Sequence, residues 1–270
     1  MGKTGVFLSG GGGNGPFHIG FFKALEEAKI PVDYICGTSV GALIGGAATY
    51  LDSYEMFECW KSLTIESVLK IDSSKVADVP GLIRDLTLFK ECFLSCCRKD
   101  PKLFINIDDI RNLLYSELDG EQIQNSPVGF AVGTTEIPSF KNVCIQKEEM
   151  GDQVLDYILA SIYMPIFSHE RRNLNGKKYL DLSMFRHYPL NSLKEQGCDK
   201  FFVVMAEPNI LHPMKHQIAK AFSPEDDVTF VDFEEQPSIL DFSSEMAKYD
   251  FNSGYEATNK VLEKKNSIPR

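Results

Sequence analysis

One serine stands between two glycines in the run Gly37-Thr38-Ser39-Val40-Gly41, where an apolar, strand-like segment meets a helix-like one. Glycines two positions before and after a serine permit a sharp turn from strand to helix, because larger side chains would clash there. Such a turn exposes the serine hydroxyl to a substrate carbonyl. The spacing therefore predicts Ser39 as a nucleophile for acyl transfer, with Gly37, Thr38 and Gly41 forming its turn.

A glycine-rich loop lies earlier, between the first strand-like and the first helix-like run. Its residues are Gly10, Gly11, Gly12, Gly13, Asn14 and Gly15. Glycines let backbone N–H groups converge near a helix start, where they can hold the negative oxygen of a tetrahedral intermediate. The loop also satisfies the dinucleotide pattern GxGxxG, but in that fold an acid ends the second strand, whereas Asp33 begins it. We therefore expect an oxyanion hole.

A serine nucleophile needs a base. Asp181 closes a strand-like run that follows the dipeptide Asn175-Gly176, which is typical of a tight hairpin turn, so its carboxylate is expected at the rim of the sheet. His187, His212 and His216 follow Asp181, which leaves a Ser-His-Asp triad as an alternative. Ser39, however, comes on only the second strand, and this early position favours a dyad in which Asp181 contacts the serine directly.

The order strand, helix, strand, helix at the start predicts a parallel sheet built by crossovers, and therefore an α/β fold. Residues 52–126 show helix-like segments without a confident strand, which predicts a helical insertion. We expect one domain over residues 1–265, followed by a polar tail at 266–270. An alternative role for the insertion is a lid or acyl channel. Its candidate residues are Phe89, Phe93, Leu94, Leu103 and Phe104.

Composition limits the class of protein. Hydrophobic residues make up 43% and charged residues 24%, and the formal net charge is −10. These values are typical of a soluble globular protein and argue against a nucleic-acid partner, which needs basic surface. Contact with lipid is expected to be local and apolar. The chain shows no export leader and no paired CxxC spacing among its seven cysteines, which favours a cytoplasmic location with reduced thiols.

These motifs together resemble the patatin-like phospholipases. The resemblance covers residues 9–27 (SGGGGNGPFHIGFFKALEE), residues 33–46 (DYICGTSVGALIGG) and residues 160–189. It implies a three-layer α/β/α sandwich with a mainly parallel sheet, related to the α/β-hydrolases. It also implies hydrolysis of acyl esters in phospholipids, lysophospholipids or related lipids by a Ser39–Asp181 dyad, with transient contact to a membrane surface. No metal or organic cofactor is implied.

Three positions depart from the family pattern. Asn14 replaces a common arginine or lysine, Leu182 follows Asp181 where glycine is usual, and His187 replaces a frequent asparagine. A side chain at Leu182 would lie where backbone is expected. A weakly active or inactive module that binds lipid or protein is therefore kept as an alternative.

Overall fold

The computed structural model describes residues 2–63, 107–162, 173–181, 189–206, 221–233, 239 and 241–267. The strands are β1 Thr4–Leu8, β2 Tyr34–Thr38, β3 Gly129–Ile137, β4 Lys141–Gln146, β5 Asn173–Leu174, β6 Lys177–Leu180, β7 Lys200–Met205 and β8 Asp227–Asp232. The helices are α1 Gly15–Glu27, α2 Val40–Ala47, α3 Ser53–Lys61, α4 Ile107–Glu117, α5 Gly120–Asn125, α6 Lys147–Met150, α7 Val154–Ile162, α8 Asn191–Glu195 and α9 Ser244–Ser267.

All eight of these strands join one sheet, in the order β5-β6-β3-β2-β1-β7-β8, with β4 paired to β3. The pairs β3-β2, β2-β1, β1-β7 and β7-β8 are parallel, whereas β4, β5 and β6 are antiparallel to their partners. The predicted mainly parallel sheet is confirmed. Parallel strands bring their carboxyl ends to one edge of the sheet, which we call the catalytic edge because Ser39, the nucleophile that the sequence predicts, follows β2 there.

Buried side chains cover both faces of the sheet, because neighbouring residues of a strand point to opposite faces. On β1, Val6 and Leu8 belong to a large core with side chains of α1, α2 and α7. Phe7 between them belongs to a second core with Leu193 of α8 and Phe201 of β7. Helices on both faces of a central sheet make the three-layer α/β/α sandwich that the sequence predicts.

Helix α1 is fixed against α9 by glycines at the contact. A Cβ on Gly254 would lie 2.0 Å from the carbonyl oxygen of Phe17, and a Cβ on Gly20 would lie 2.0 Å from that of Phe251. Only glycine permits backbones to approach so closely. Because the glycine-rich loop leads directly into α1, this packing also fixes the loop.

The described parts of the predicted insertion are helical, as α3, α4 and α5. Residues 64–106, including the lid candidates, lie outside the described residues. Of the helices within the described ranges, none combines the length and apolar character that a bilayer crossing requires.

Candidate active site

Ser39 lies at the bend between β2 and α2. Its backbone has φ 52° and ψ −129°, a left-handed conformation that residues with a side chain rarely adopt. Its neighbours Thr38 and Val40 are 4% and 6% exposed, whereas Ser39 is half-buried. Ser39 is therefore the more accessible residue in an otherwise buried segment.

Two glycines make this bend sterically feasible. A Cβ on Gly37 would lie 2.2 Å from the carbonyl oxygen of Gly41. A Cβ on Gly41 would lie 2.4 Å from the carbonyl oxygens of both Leu8 and Ser9, at the end of β1. The GxSxG spacing is thus required by contact between backbones, and it seats the start of α2 directly on β1.

Ser161, near the end of α7, fixes the backbone of the bend. The N–H of Ser39 donates to Ser161 Oγ over 2.7 Å, and the Ser161 hydroxyl donates to the carbonyl oxygen of Gly133 over 2.7 Å. Ser161 is 1% exposed, so both hydrogen bonds are shielded from water. The sequence motifs include Ser161 only within residues 160–189 of the resemblance, and they do not indicate that it binds the backbone of Ser39. A serine within the apolar helix α7 was the available signal.

The glycine-rich loop adopts conformations that only glycine enters freely. Gly11 has φ 148° and Gly12 has φ 55°. A Cβ on Gly11 would meet the carbonyl oxygen of Ala206 at 2.6 Å, and a Cβ on Gly12 would meet that of Ile239 at 2.4 Å. The loop is therefore confined between the end of β7 and the segment before α9.

Three N–H groups of the loop have partners within the protein. Gly13 N–H donates to Ile239 over 2.7 Å, Asn14 N–H donates to Gly11 over 3.1 Å, and Gly15 N–H donates to the carbonyl of Gly12. The remaining candidates for an oxyanion hole are the N–H groups of Gly10, Gly11 and Gly12, of which Gly11 and Gly12 are half-buried and Gly10 is buried.

Two buried polar side chains hold the loop in place. The Asn14 side chain is 1% exposed and donates through Nδ2 to the carbonyl oxygen of Ala206 over 3.0 Å. The His18 ring, which is fully buried, donates through Nε2 to the carbonyl oxygen of Ser9 over 2.9 Å. Burial lowers the pKa of His18 to about 4, so the ring is neutral at physiological pH. Both residues therefore support the loop rather than supply charge.

Strand β3 brings the ends of β2 and β6 together. Its first half pairs with β2 up to the pair Thr38–Gly133, and its last residues pair with β6 from the pair Thr135–Leu180. Strand β4 pairs with residues 131–136, overlapping both partners. Since one strand has only two sides, β4 occupies one side of β3, and β2 and β6 share the other.

Strands β2 and β6 therefore run toward each other along the same side of β3. The residues that follow their last pairs are Ser39 and Asp181, and both are directed to the level of Thr134. The hydroxyl of Thr134 donates to the carbonyl oxygen of Leu180 over 3.2 Å, which fixes the end of β6. Asp181 is 7% exposed. Leu182 and the alternative triad residues His187, His212 and His216 lie outside the described residues.

Asp33 has a structural role. Its Oδ2 accepts the N–H of Thr4 over 2.7 Å, which joins the starts of β1 and β2 at the edge opposite Ser39. Within the described ranges, no three His, Cys, Asp or Glu side chains are grouped so that they could hold a metal ion. Among the described residues, the predicted catalytic groups at this edge are the hydroxyl of Ser39, the carboxylate of Asp181 and the N–H groups of the loop.

Comparison with known proteins gives consistent matches. The family model of the patatin-like phospholipases matches residues 6–193. The lysophospholipase NTE1 of Yarrowia lipolytica is 48% identical over 200 residues, which cover 74% of this chain and 12% of that protein. The lysophospholipase NTE1 of Kluyveromyces lactis is 24% identical over 280 residues, which cover 98% of this chain and 17% of that protein. This chain therefore spans less than a fifth of the length of these relatives.

A solved structure shares the fold. The crystal structure of VipD from Legionella pneumophila superimposes with a TM-score of 0.56 at 14% identity, over 98% of this chain and 67% of that one. At that identity the likeness concerns the α/β/α architecture alone.

Proposed function

The chain belongs to the patatin-like phospholipase family, and we propose that it hydrolyses acyl esters of lysophospholipids or phospholipids through a Ser39–Asp181 dyad. The observation that carries the proposal is the head-to-head approach of β2 and β6 along β3. It directs the half-buried Ser39 and the buried Asp181 to the level of the same residue, Thr134. A hydrogen bond between the two side chains is part of the proposal, and this convergence of the two strand ends supports it.

The side-chain directions support the same pairing. Tyr179 on β6 packs against Tyr157 of α7, with ring centroids 5.7 Å apart. Residues two apart on a strand point to the same face, so Asp181 is directed to the α7 face. Ser161 lies one helical turn beyond Tyr157 and binds the N–H of Ser39. Nucleophile and carboxylate are therefore expected on the same face of the sheet.

The proposed reaction has two halves. Asp181 takes the proton of the Ser39 hydroxyl while Oγ bonds to the ester carbonyl carbon, and the carbonyl oxygen becomes an oxyanion held by N–H groups of Gly11 and Gly12. The C–O bond to the lipid alcohol then breaks, and the leaving oxygen takes the proton from Asp181. Asp181 next takes a proton from a water molecule that attacks the acyl-enzyme. The bond between Ser39 Oγ and the acyl carbon then breaks, Oγ takes the proton from Asp181, and the fatty acid is released.

The substrate class is supported by the relatives, whose names describe lysophospholipases. A lysophospholipid carries one acyl chain, so a single acyl site beside Ser39 is sufficient for it. The Asn14 side chain is buried and donates to Ala206, so this loop position supplies no cation for an anionic head group. We therefore expect neutral or zwitterionic lysolipids to be hydrolysed faster than anionic ones.

The test combines activity with covalent labelling. Ser39→Ala should abolish hydrolysis of a lysophosphatidylcholine and labelling by a fluorophosphonate probe, and Asp181→Asn should reduce both by several orders of magnitude. Ser116→Ala and Asp152→Asn, at exposed serine and aspartate positions, serve as matched controls and should remain active. Hydrolysis that survives in Ser39→Ala would refute the nucleophile.

The alternatives are decided by the same assays. Alanine at His187, His212 or His216 should leave the rate close to that of the wild type; a loss comparable to that of Ser39→Ala would establish a triad instead. A wild-type protein that binds lysolipid but neither reacts with the probe nor hydrolyses the ester would be a binding module. A cytoplasmic location stays a prediction, to be tested by cell fractionation.

A further inference from the structure

Two hairpin turns lie side by side beyond the catalytic edge. Strand β3 continues past Thr134 to Ile137 and turns at residues 138–140 into β4. Ile137 pairs with Lys178 of β6, so the β5–β6 turn at Asn175-Gly176 lies next to it. Because Glu136 pairs with Lys141, the chain reverses within residues 137–140, and at about 3.4 Å for each residue the first turn extends ~10–14 Å beyond the level of Thr134. We call these two turns, at residues 138–140 and 175–176, together with Lys141, Lys177 and Lys178 the hairpin platform.

Phe140 lies in the first turn, where its side chain is exposed and its backbone is strained. Its side chain is 54% exposed, and its backbone has φ 53°. Turns that need positive φ normally use Gly, Asn or Asp, because a residue with a bulky side chain is strained there. The ring therefore gains little from packing within the chain, and its position is suited to contact with an apolar phase outside it.

The flanking charges are basic although the chain is acidic as a whole. Lys141, Lys177 and Lys178 are all exposed on the platform. Glu136 pairs with Lys177 over 2.8 Å, and Glu149 has a weaker electrostatic influence on the same lysine. Three lysines, Glu136 and Glu149 leave a local charge of about +1, against −10 for the whole chain. A basic patch around an exposed aromatic ring is complementary to anionic phosphates above an acyl layer.

We propose that the hairpin platform docks the protein on the surface of an anionic phospholipid bilayer. This inference rests on the lipid hydrolase function proposed above, for which it supplies the approach to substrate. Phe140 enters the boundary between head groups and acyl chains, and the three lysines bind lipid phosphates. Because both turns project from the catalytic edge, docking turns Ser39 toward the bilayer while leaving it above the surface. A lysolipid that leaves the bilayer readily can then reach it.

Co-sedimentation with vesicles tests the docking, using the full chain in a Ser39→Ala background so that lipid is not consumed. On phosphatidylcholine vesicles with about one third phosphatidylserine, Phe140→Ser should bind about tenfold more weakly, because the ring no longer buries apolar surface in the lipid. Replacing Lys141, Lys177 and Lys178 together by glutamine should weaken binding about a hundredfold. That triple variant should bind vesicles of phosphatidylcholine alone as the parent does.

Matched substitutions elsewhere separate docking from general effects. Phe230→Ser removes an aromatic ring that is 44% exposed on β8, at the other end of the sheet. A triple glutamine variant at Lys3, Lys29 and Lys200 makes the same charge change at the opposite edge. Both controls should bind like the parent. Equal binding by the platform variants, or equal loss in the controls, would overturn the proposal.

Two further measurements distinguish a loss of docking from a loss of stability or of catalytic activity. Phe140→Gly suits the positive φ, so it should fold at least as stably as the parent and yet bind as weakly as Phe140→Ser. In the Ser39 chain, the platform variants should cleave a soluble short-chain ester at the parent rate. If the parent cleaves no ester while the binding pattern holds, the proposed function fails and the docking stands.

Discussion

The conformation of Ser39 predicts that glycine at this position gives a more stable protein than alanine, the reverse of the usual order. Ser39→Ala and Ser39→Gly both remove the hydroxyl, and neither removes a helix cap, because the side chain of Ser39 makes no capping hydrogen bond. Alanine must still adopt φ 52° and ψ −129°, which is strained for any residue with a Cβ, whereas glycine adopts it freely. The difference in stability between the two variants therefore measures the strain at the bend.

The magnitude follows from two opposing contributions. Relief of a sparsely populated backbone conformation is worth about 1–3 kcal/mol. Glycine loses more conformational entropy than alanine on folding, at a cost of about 0.5–1 kcal/mol. We expect Ser39→Gly to exceed Ser39→Ala in the free energy of unfolding by about 1–2 kcal/mol, and in Tm by about 3–6 °C for a domain of this size.

Urea unfolding followed by circular dichroism measures the difference. Ala48→Gly is the control, because Ala48 has φ −65° and an ordinary conformation. There the change from alanine to glycine should destabilise the protein by about 0.5–1 kcal/mol. If Ser39→Ala proves more stable than Ser39→Gly by the same ~0.5–1 kcal/mol as alanine over glycine at position 48, the bend stores no strain and this account of the elbow is wrong.

Two further predictions concern buried groups behind the site. Ser161→Ala leaves the N–H of Ser39 and the carbonyl of Gly133 without their partner, so it should lower stability by about 2–4 kcal/mol in urea unfolding and reduce kcat more than it changes KM for a soluble ester. Asp250 on α9 is fully buried, and burial, followed by the charge of Asp241, raises the pKa of its carboxyl to about 8. Because this carboxyl ionises near pH 4 in the unfolded chain, the group lowers stability as pH rises from about 4 to about 8. Asp250→Asn should therefore flatten that pH dependence and stabilise the protein by about 2–4 kcal/mol at pH 8, and an unchanged slope would contradict the assignment.

The sequence predicted the elements around the two glycine motifs well, because their signals are local. Strand β1, helix α1 and the hairpin turn at Asn175-Gly176 lie where they were expected, and Asn175 and Gly176 have the positive φ values, 51° and 80°, that the dipeptide indicated. Strand β2 continues through Gly37 to Thr38, into the glycine motif itself. Glycine is a poor strand former on its own, but here Gly37 pairs with Leu8 and Val132 on both sides.

The hydrogen bonds that fix the loop and the bend could not be predicted. Gly13 was expected among the oxyanion donors, but its N–H donates to Ile239, which lies more than two hundred residues away in the chain. Ser161 contacts Ser39 over a separation of 122 residues. Such partners depend on how distant segments pack, and no local pattern in the sequence records that.

The register of β6 is the tertiary feature on which the proposed dyad depends most. A shift of one residue against β3 would direct Asp181 to the other face of the sheet, because side chains alternate along a strand. Tyr179 opposes that shift: it is 6% exposed, and the same shift would remove its ring from the core beside α7. Lys178, which alternates with Tyr179, is exposed and would have to enter that core. Tyr179, two positions before the carboxylate, therefore holds the register, so the packing that stabilises the sheet also sets the face to which Asp181 is directed.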